Sequence, residues 1–188
     1  MEVKTIYFER PGPENTDKTL EAAKKRAQEL GIKYVVVATT SGETGAKAAE
    51  IFQGTGIEVI VVAHQYGFRE AGKIELKKEF EEKIKNLGAK LLIGTDIFTM
   101  VPRAFRGKLG GDPLDIVSAT LRMFCQGVKV CVEIAVMAAN TGLVPVDQDI
   151  IAIAGTGSGA DTAIVLKPAD ISRMFTDLKI KEIVAKPR

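Results

Sequence analysis

Tyr34-Val-Val-Val-Ala-Thr-Thr-Ser-Gly-Glu-Thr-Gly-Ala46 is the stretch on which the reading of the fold turns. A run of β-branched residues stops at a cluster of hydroxyls and glycines, and a helix is expected directly afterwards. A buried strand that feeds a polar loop opening a helix binds anions. The first N–H groups of a helix have no intrahelical partner, and the helix dipole adds partial positive charge there. Hydroxyls on Thr39, Thr40, Ser41 and Thr44 add donors for a phosphate. Gly42 and Gly45 are expected to let the backbone approach that phosphate closely. Glu43 opposes this, because its carboxylate can neutralise the helix start itself or bind ligand hydroxyls instead.

Outward from this stretch the same alternation repeats. Thr5–Phe8 reads as a first strand, broken by Pro11-Gly-Pro13, and Asn15 or Thr16 caps a helix that runs to Leu30. Leu20, Ala23, Ala27 and Leu30 form its apolar stripe, and Gly31 ends it. Strands follow at Tyr34–Ala38, Glu58–Ala63 and Lys90–Ile93. Helices are expected at Glu43–Phe52 and across Leu76, Phe80, Ile84 and Leu87, the latter stopped by Gly88. Gly94–Gly111 reads as a long loop. Asp112-Pro-Leu-Asp115 starts a helix, with Asp112 as cap, Pro113 in the first position and Asp115 in the positive first turn. A break is expected at Gly127, with helix resuming over Val128–Ala139. Ile150–Ala154 is a fifth strand, Gly155–Asp161 a loop, Thr162–Leu166 a strand, and Ile180–Ala185 the last strand.

Continuous Val and Ile runs mark strands buried on both faces, as in a parallel sheet covered by helices. The expected fold is therefore a three-layer α/β/α sandwich. Its sheet is mostly parallel, with an antiparallel C-terminal portion at one side. The 188 residues suit a single domain over 1–188. Apolar residues at 46% and charged residues at 27% are ordinary for a soluble globular chain. A net charge of +2, with Lys and Glu interspersed, argues against a nucleic-acid surface. Cys125 and Cys131 sit in no zinc-like spacing and read as structural thiols. The N-terminus lacks the form of a signal peptide, and Val128–Ala139 is too short and too charged to span a membrane. These readings place the chain in the cytoplasm. A homodimer binding a small phosphorylated ligand is expected: the Val128–Met137 helix is apolar around much of its circumference, which suits either deep burial or an interface.

Ligands of open parallel sheets bind beyond the carboxyl ends of the strands. Five loops are expected at that edge: Arg10–Asn15, Thr39–Gly45, His64–Gly72, Gly94–Gly111 and Gly155–Asp161. Neither glycine-rich loop is a Walker A loop, since no Gly-Lys-Ser/Thr follows, and Gly155-Thr-Gly-Ser-Gly159 lacks the dinucleotide spacing. His64, the one histidine, lies just past the third strand and is either a structural group or a proton carrier. Tyr66, Phe68, Phe98 and Met100 can wall a flat ring. Arg69, Arg103 and Arg106 are candidates for anion pairing. Asp96 and Asp161, on separate loops, make a weak case for a metal, and no catalytic group is evident.

Thr39-Thr-Ser-Gly-Glu-Thr44, after its hydrophobic strand, resembles the effector phosphate loop of the pyruvate kinase C-terminal domain. Gly155-Thr-Gly-Ser-Gly-Ala-Asp-Thr162 resembles the second glycine-rich loop of that domain. More specifically, the chain resembles the stand-alone archaeal pyruvate kinase α/β domain proteins. The shared stretches are Tyr7-Phe-Glu-Arg-Pro-Gly12, Ser41-Gly-Glu-Thr-Gly45, His64-Gln-Tyr-Gly-Phe-Arg-Glu70 and Gly127-Val-Lys-Val-Cys-Val-Glu-Ile-Ala-Val-Met-Ala-Ala139. The resemblance implies a phosphate site at Thr39, Ser41, Gly42 and Thr44, closed by the Gly155–Thr162 loop. It does not imply pyruvate kinase catalysis, which belongs to a barrel domain. Gly45 in place of the usual alanine, the charge of Glu43 and the lack of tryptophan argue against fructose bisphosphate.

The resemblance points to flavin mononucleotide (FMN) as the first candidate for a phosphorylated cofactor. The residues expected around it are Thr39, Thr40, Ser41, Gly42, Glu43, Thr44 and Gly45 in the first loop. His64, Tyr66, Gly67 and Phe68 follow the third strand, and Thr95 follows the fourth. Gly155, Thr156, Gly157, Ser158, Gly159, Ala160, Asp161 and Thr162 form the far side, and Asn15 and Thr16 reach the ribityl or phosphate part. The alternatives are an enzyme acting on a sugar phosphate or nucleotide, with His64 or an acid carrying a proton, and a regulatory module for a partner enzyme.

Overall fold

The Val-rich stretches Tyr34–Thr39 (β2) and Glu58–His64 (β3) lie side by side and parallel in the computed structural model, which describes residues 2–188. Val35 faces Val59 on one neighbour and Ile151 on the other. The remaining strands are β1 (Ile6–Phe8), β4 (Lys90–Gly94), β5 (Ile150–Thr156), β6 (Ser158–Lys167) and β7 (Lys179–Pro187). They form one sheet in the order β1-β7-β6-β5-β2-β3-β4.

Alternate residues of the central strands serve two separate cores, the period-two signature of a sheet covered on both faces. Val35, Val37, Val61, Ile151 and Ile153 pack against α1 (Thr16–Leu30), α2 (Glu43–Phe52) and α3 (Lys78–Asn86), through Leu20, Ala23, Ala46, Phe52 and Ile84. Val36, Ile60, Val62, Ile150 and Ala152 pack on the opposite side. There they meet α6 (Gln126–Asn140), which is backed by α5 (Pro113–Arg122) through Leu114, Val117 and Leu121. The expected α/β/α sandwich is the observed architecture. Gly31 ends α1 in a left-handed conformation, and the Asp112 carboxylate accepts from Leu114 N at 2.8 Å to cap α5.

As expected, the antiparallel pairing lies in the C-terminal part to one side of β2: β6 runs antiparallel between β5 and β7. Several local expectations need correction. The expected loop Gly155–Asp161 is mostly strand: β5 and β6 form a tight hairpin that turns at Gly157. The expected loop Gly94–Gly111 contains a helix, α4 (Met100–Leu109). Pro102 is tolerated there because it sits in the first turn, where backbone N–H groups have no intrahelical acceptor. The helix break falls at residues 123–125, not at Gly127. Gly127 instead lets α6 approach β6, since a Cβ there would collide with the Thr162 side chain. Leu76 precedes α3 as buried extended chain, and Lys77 N bonds Ser41 O at 2.9 Å. A short helix α7 (Met174–Asp177) precedes β7.

Of the two readings of the apolar helix, deep burial is the observed one. Val128, Cys131, Val132, Ile134 and Ala135 through Ala138 are all buried within this chain. Among the described residues, no helix is long and apolar enough to cross a membrane.

Candidate functional site

The carboxyl ends of β2, β3 and β5 open onto one cleft of about 310 Å³. That volume lies at the lower end of small-molecule sites. One wall is the β2–α2 loop, with Thr39, Thr40, Ser41, Glu43 and Thr44. The β5–β6 hairpin faces it with Gly155, Gly157, Ser158 and Gly159. The other walls come from His64, Phe68 and Arg69 after β3, Asp96 and Thr99 after β4, Arg122 on α5, and Gln126, Lys129 and Glu133 on α6.

In the first wall, the Thr39 hydroxyl accepts from the backbone N–H groups of Gly42 at 3.1 Å and Gly45 at 3.4 Å. Ser41 Oγ accepts from Glu43 N at 3.4 Å. Part of the anion-binding capacity of the α2 start is thus taken up internally. The two glycines also serve packing. Gly42 is left-handed (φ 99°), and a side chain there would run into Phe80 and Leu76. A Cβ on Gly45 would collide with Val61, so this glycine lets α2 lie close on β3.

Asp96 lies within 3.0 and 2.9 Å of His64 Nδ1 through its two carboxylate oxygens. A carboxylate only accepts, so Nδ1 carries a proton, and Nε2 has no partner among the described residues. Phe68 stacks on the imidazole, with ring centroids 3.8 Å apart and planes 11° from parallel. Arg103 pins this arrangement by donating to Phe68 O at 3.0 Å, and Gln65 Oε1 accepts from Asp96 N at 3.1 Å.

Behind this pair lies a second one. Lys129 and Glu133, one turn apart on α6, are each about 1% exposed and 2.5 Å from each other. Lys129 also donates to Thr99 Oγ1 at 2.6 Å, and Glu133 accepts from Phe98 N at 2.6 Å. Burial lowers the pKa of Lys129 and raises that of Glu133, while their mutual attraction opposes both shifts. Arg122 is held by Gln126 Oε1 at 2.7 Å and Ser118 Oγ at 2.8 Å.

The structure brings together Thr39, Thr40, Ser41, Glu43, Thr44, His64, Phe68, Gly155, Gly157, Ser158 and Gly159 of the expected set. Others are committed elsewhere. Asn15 Nδ2 donates to Arg10 O and Gly12 O, and Thr16 Oγ1 donates to Pro13 O and accepts from Ala160 N. Asp161 is fully buried and accepts from Gly12 N, Thr156 N and the Thr162 hydroxyl, so it staples the hairpin to the first loop. Tyr66 and Thr95 are exposed, and Gly67 N turns its loop by donating to Lys73 O. Phe98 belongs to the α6-side core, and Arg106 is paired with Asp115. Of the expected ring wall only Phe68 lines the cleft.

Arg122, Gln126, Lys129 and Glu133 were not in the expected set. The signal was present: Gln126, Lys129 and Glu133 fall at i, i+3 and i+7 of an otherwise apolar helix, one polar stripe on one face.

Residues 17–166 match the family described as pyruvate kinase, alpha/beta domain, and the chain belongs to that family. Among solved structures it is similar to the pyruvate kinase of Cryptosporidium parvum in complex with ADP. The TM-score is 0.40 and the identity 13%, over 90% of this chain and 23% of that one. It is also similar to O-ureido-L-serine synthase, with a TM-score of 0.33 and 16% identity over 57% of this chain and 35% of that one. The chain thus spans about a third or less of these proteins.

Proposed function

We propose that the cleft binds a phosphorylated small molecule, with FMN as the first candidate. One observation carries this reading: two Gly/Ser/Thr-rich segments distant in sequence face each other across a single cleft at the sheet's carboxyl edge. The α2 start contributes its dipole, and Arg69 and Arg122 add positive charge on the surrounding walls. Thr39 Oγ1 accepts two backbone N–H bonds, so its own O–H is what it offers a ligand. Thr40, Ser41, Thr44 and Ser158 offer further hydroxyls. The stacked His64–Phe68 pair supplies a flat surface beside which a ring can lie. The resemblance to the stand-alone archaeal proteins favours flavin over other phosphate esters.

The test is a visible absorbance and fluorescence scan of freshly purified protein, repeated after FMN is added. The expected result is a flavin band that stays with the protein through gel filtration. Thr44→Val should weaken that binding by about tenfold or more, the cost of one hydrogen bond to a charged group. No band and no binding overturn the flavin reading.

A further inference from the structure

The geometry points to a second function for the same cleft: His64, oriented by Asp96, exchanges a proton with the end of the ligand remote from its phosphate. The inference rests on the reading that the phosphate lies against Thr39–Thr44, and it adds a chemical role that binding alone does not require.

Four observations carry it. His64 is the only histidine in the chain, and it sits on the cleft wall at the carboxyl end of β3. Its Nδ1 is occupied by both oxygens of Asp96, which is itself 5% exposed. No partner for Nε2 exists among the described residues, and a quarter of the side chain remains exposed. Phe68 covers one ring face. A carboxylate that holds Nδ1, with Nε2 left without a protein partner on a side chain that lines the cleft, is an arrangement suited to a general base.

Charges on the other walls suit this role. Arg69 comes from the loop after β3, Arg122 from α5, and the Lys129–Glu133 pair from α6, while Glu43 on α2 is the remaining acid. Arg122 favours negative charge on a ligand oxygen, while Lys129 is neutralised by Glu133. The substrate class is therefore a phosphate ester whose far end carries an N–H or C–H next to a carbonyl. In the transfer, that X–H bond breaks and its electron pair delocalises onto the carbonyl oxygen. The proton forms a new bond to Nε2, and the Asp96 carboxylate holds the resulting imidazolium. Return of the proton, to the same or a neighbouring atom, restores the neutral ring, so no oxidant or reductant enters.

A lone histidine makes the test direct. Protein carrying ¹⁵N-histidine is examined by long-range ¹H–¹⁵N NMR, alone and with FMN, dihydroxyacetone phosphate or inorganic phosphate. The free protein should show the Nδ1–H tautomer. The Nε2 resonance should move with at least one of the two organic phosphates and stay in place with inorganic phosphate. His64→Asn should weaken that organic ligand about tenfold and leave inorganic phosphate unaffected. If dihydroxyacetone phosphate is the ligand, exchange of its C–H protons with deuterated solvent should also be lost. Asp96→Asn, which cannot hold Nδ1–H as a carboxylate does, should shift the ring toward the Nε2–H tautomer and cause a similar loss.

The outcomes separate the two readings. FMN binding with an unmoved Nε2, or with equal affinity in His64→Asn, overturns the histidine proposal and keeps the flavin one. Movement with dihydroxyacetone phosphate and no FMN binding does the reverse. Binding of neither organic phosphate overturns both.

Discussion

Replacing Lys129 by Met removes one partner of a buried ion pair and leaves the other in place. Lys129 and Glu133 are each about 1% exposed, 2.5 Å apart, and hydrogen-bonded to Thr99 and to Phe98 N. Breaking such a pair from one side costs about 3–5 kcal/mol, because the remaining charge is buried without compensation. In a chain of this size each kcal/mol shifts Tm by roughly 2–4 °C, so the variant should melt roughly 6–20 °C lower near neutral pH. The pH dependence carries a sign. Burial already raises the Glu133 pKa, and Lys129 is what restrains it. In the variant the carboxyl titrates higher still, whereas in the unfolded chain it titrates near about 4.3. Between those values the folded state holds a proton that the unfolded state has lost, so stability falls as pH rises through that window. Lys129→Met should therefore lose less at about pH 5 than at about pH 8. The double variant Lys129→Met/Glu133→Gln keeps an acceptor for Phe98 N without a charge, and should recover most of the loss. Thermal and urea unfolding followed by far-UV circular dichroism give these values, since the chain has no tryptophan to report by fluorescence. A single variant as stable as wild type, or one that gains stability as pH rises, would refute the reasoning.

Two further expectations test the local packing. Gly45→Ala should destabilise by about 1–3 kcal/mol, because its Cβ meets Val61 where α2 lies on β3, and the same melts would show it. No change would mean that α2 can move off the sheet freely. Asp161→Ala strips the acceptor from Gly12 N, Thr156 N and the Thr162 hydroxyl in a buried setting, at about 1–3 kcal/mol for each donor that finds no substitute. Hydrogen exchange should then speed up at Gly12 and Thr156 ahead of the central strands, and unaltered protection there would contradict the staple role.

The layered fold was legible because its signals are local. The β-branched runs at Tyr34–Thr39, Glu58–His64 and Ile150–Thr156, the stripe of α1 ending at Gly31, and the Asp112–Pro113 start each depend on neighbours in sequence. α4 escaped because its residues leave only Pro102 buried, so periodicity had little apolar contrast to show. The Gly155–Asp161 stretch was mistaken for a loop because glycines in a hairpin and in a loop have the same composition, and only pairing with a neighbouring strand distinguishes them.

The site divides in the same way. The sequence by itself determined the α/β/α plan and the hydroxyl-rich Thr39–Thr44 wall, since a strand, a loop and a helix start in direct succession fix one another's geometry. The tertiary structure alone decided that this wall faces the β5–β6 hairpin, that Asp96 reaches His64, and that Lys129 and Glu133 lie behind them. It also decided that Asp161 and Thr16 bond backbone N–H groups of the hairpin. The His64–Asp96 and Thr16–Ala160 contacts join residues 32 and 144 positions apart. Their partners are set by strand order and by how α6 crosses the sheet, and no local pattern of residues encodes either.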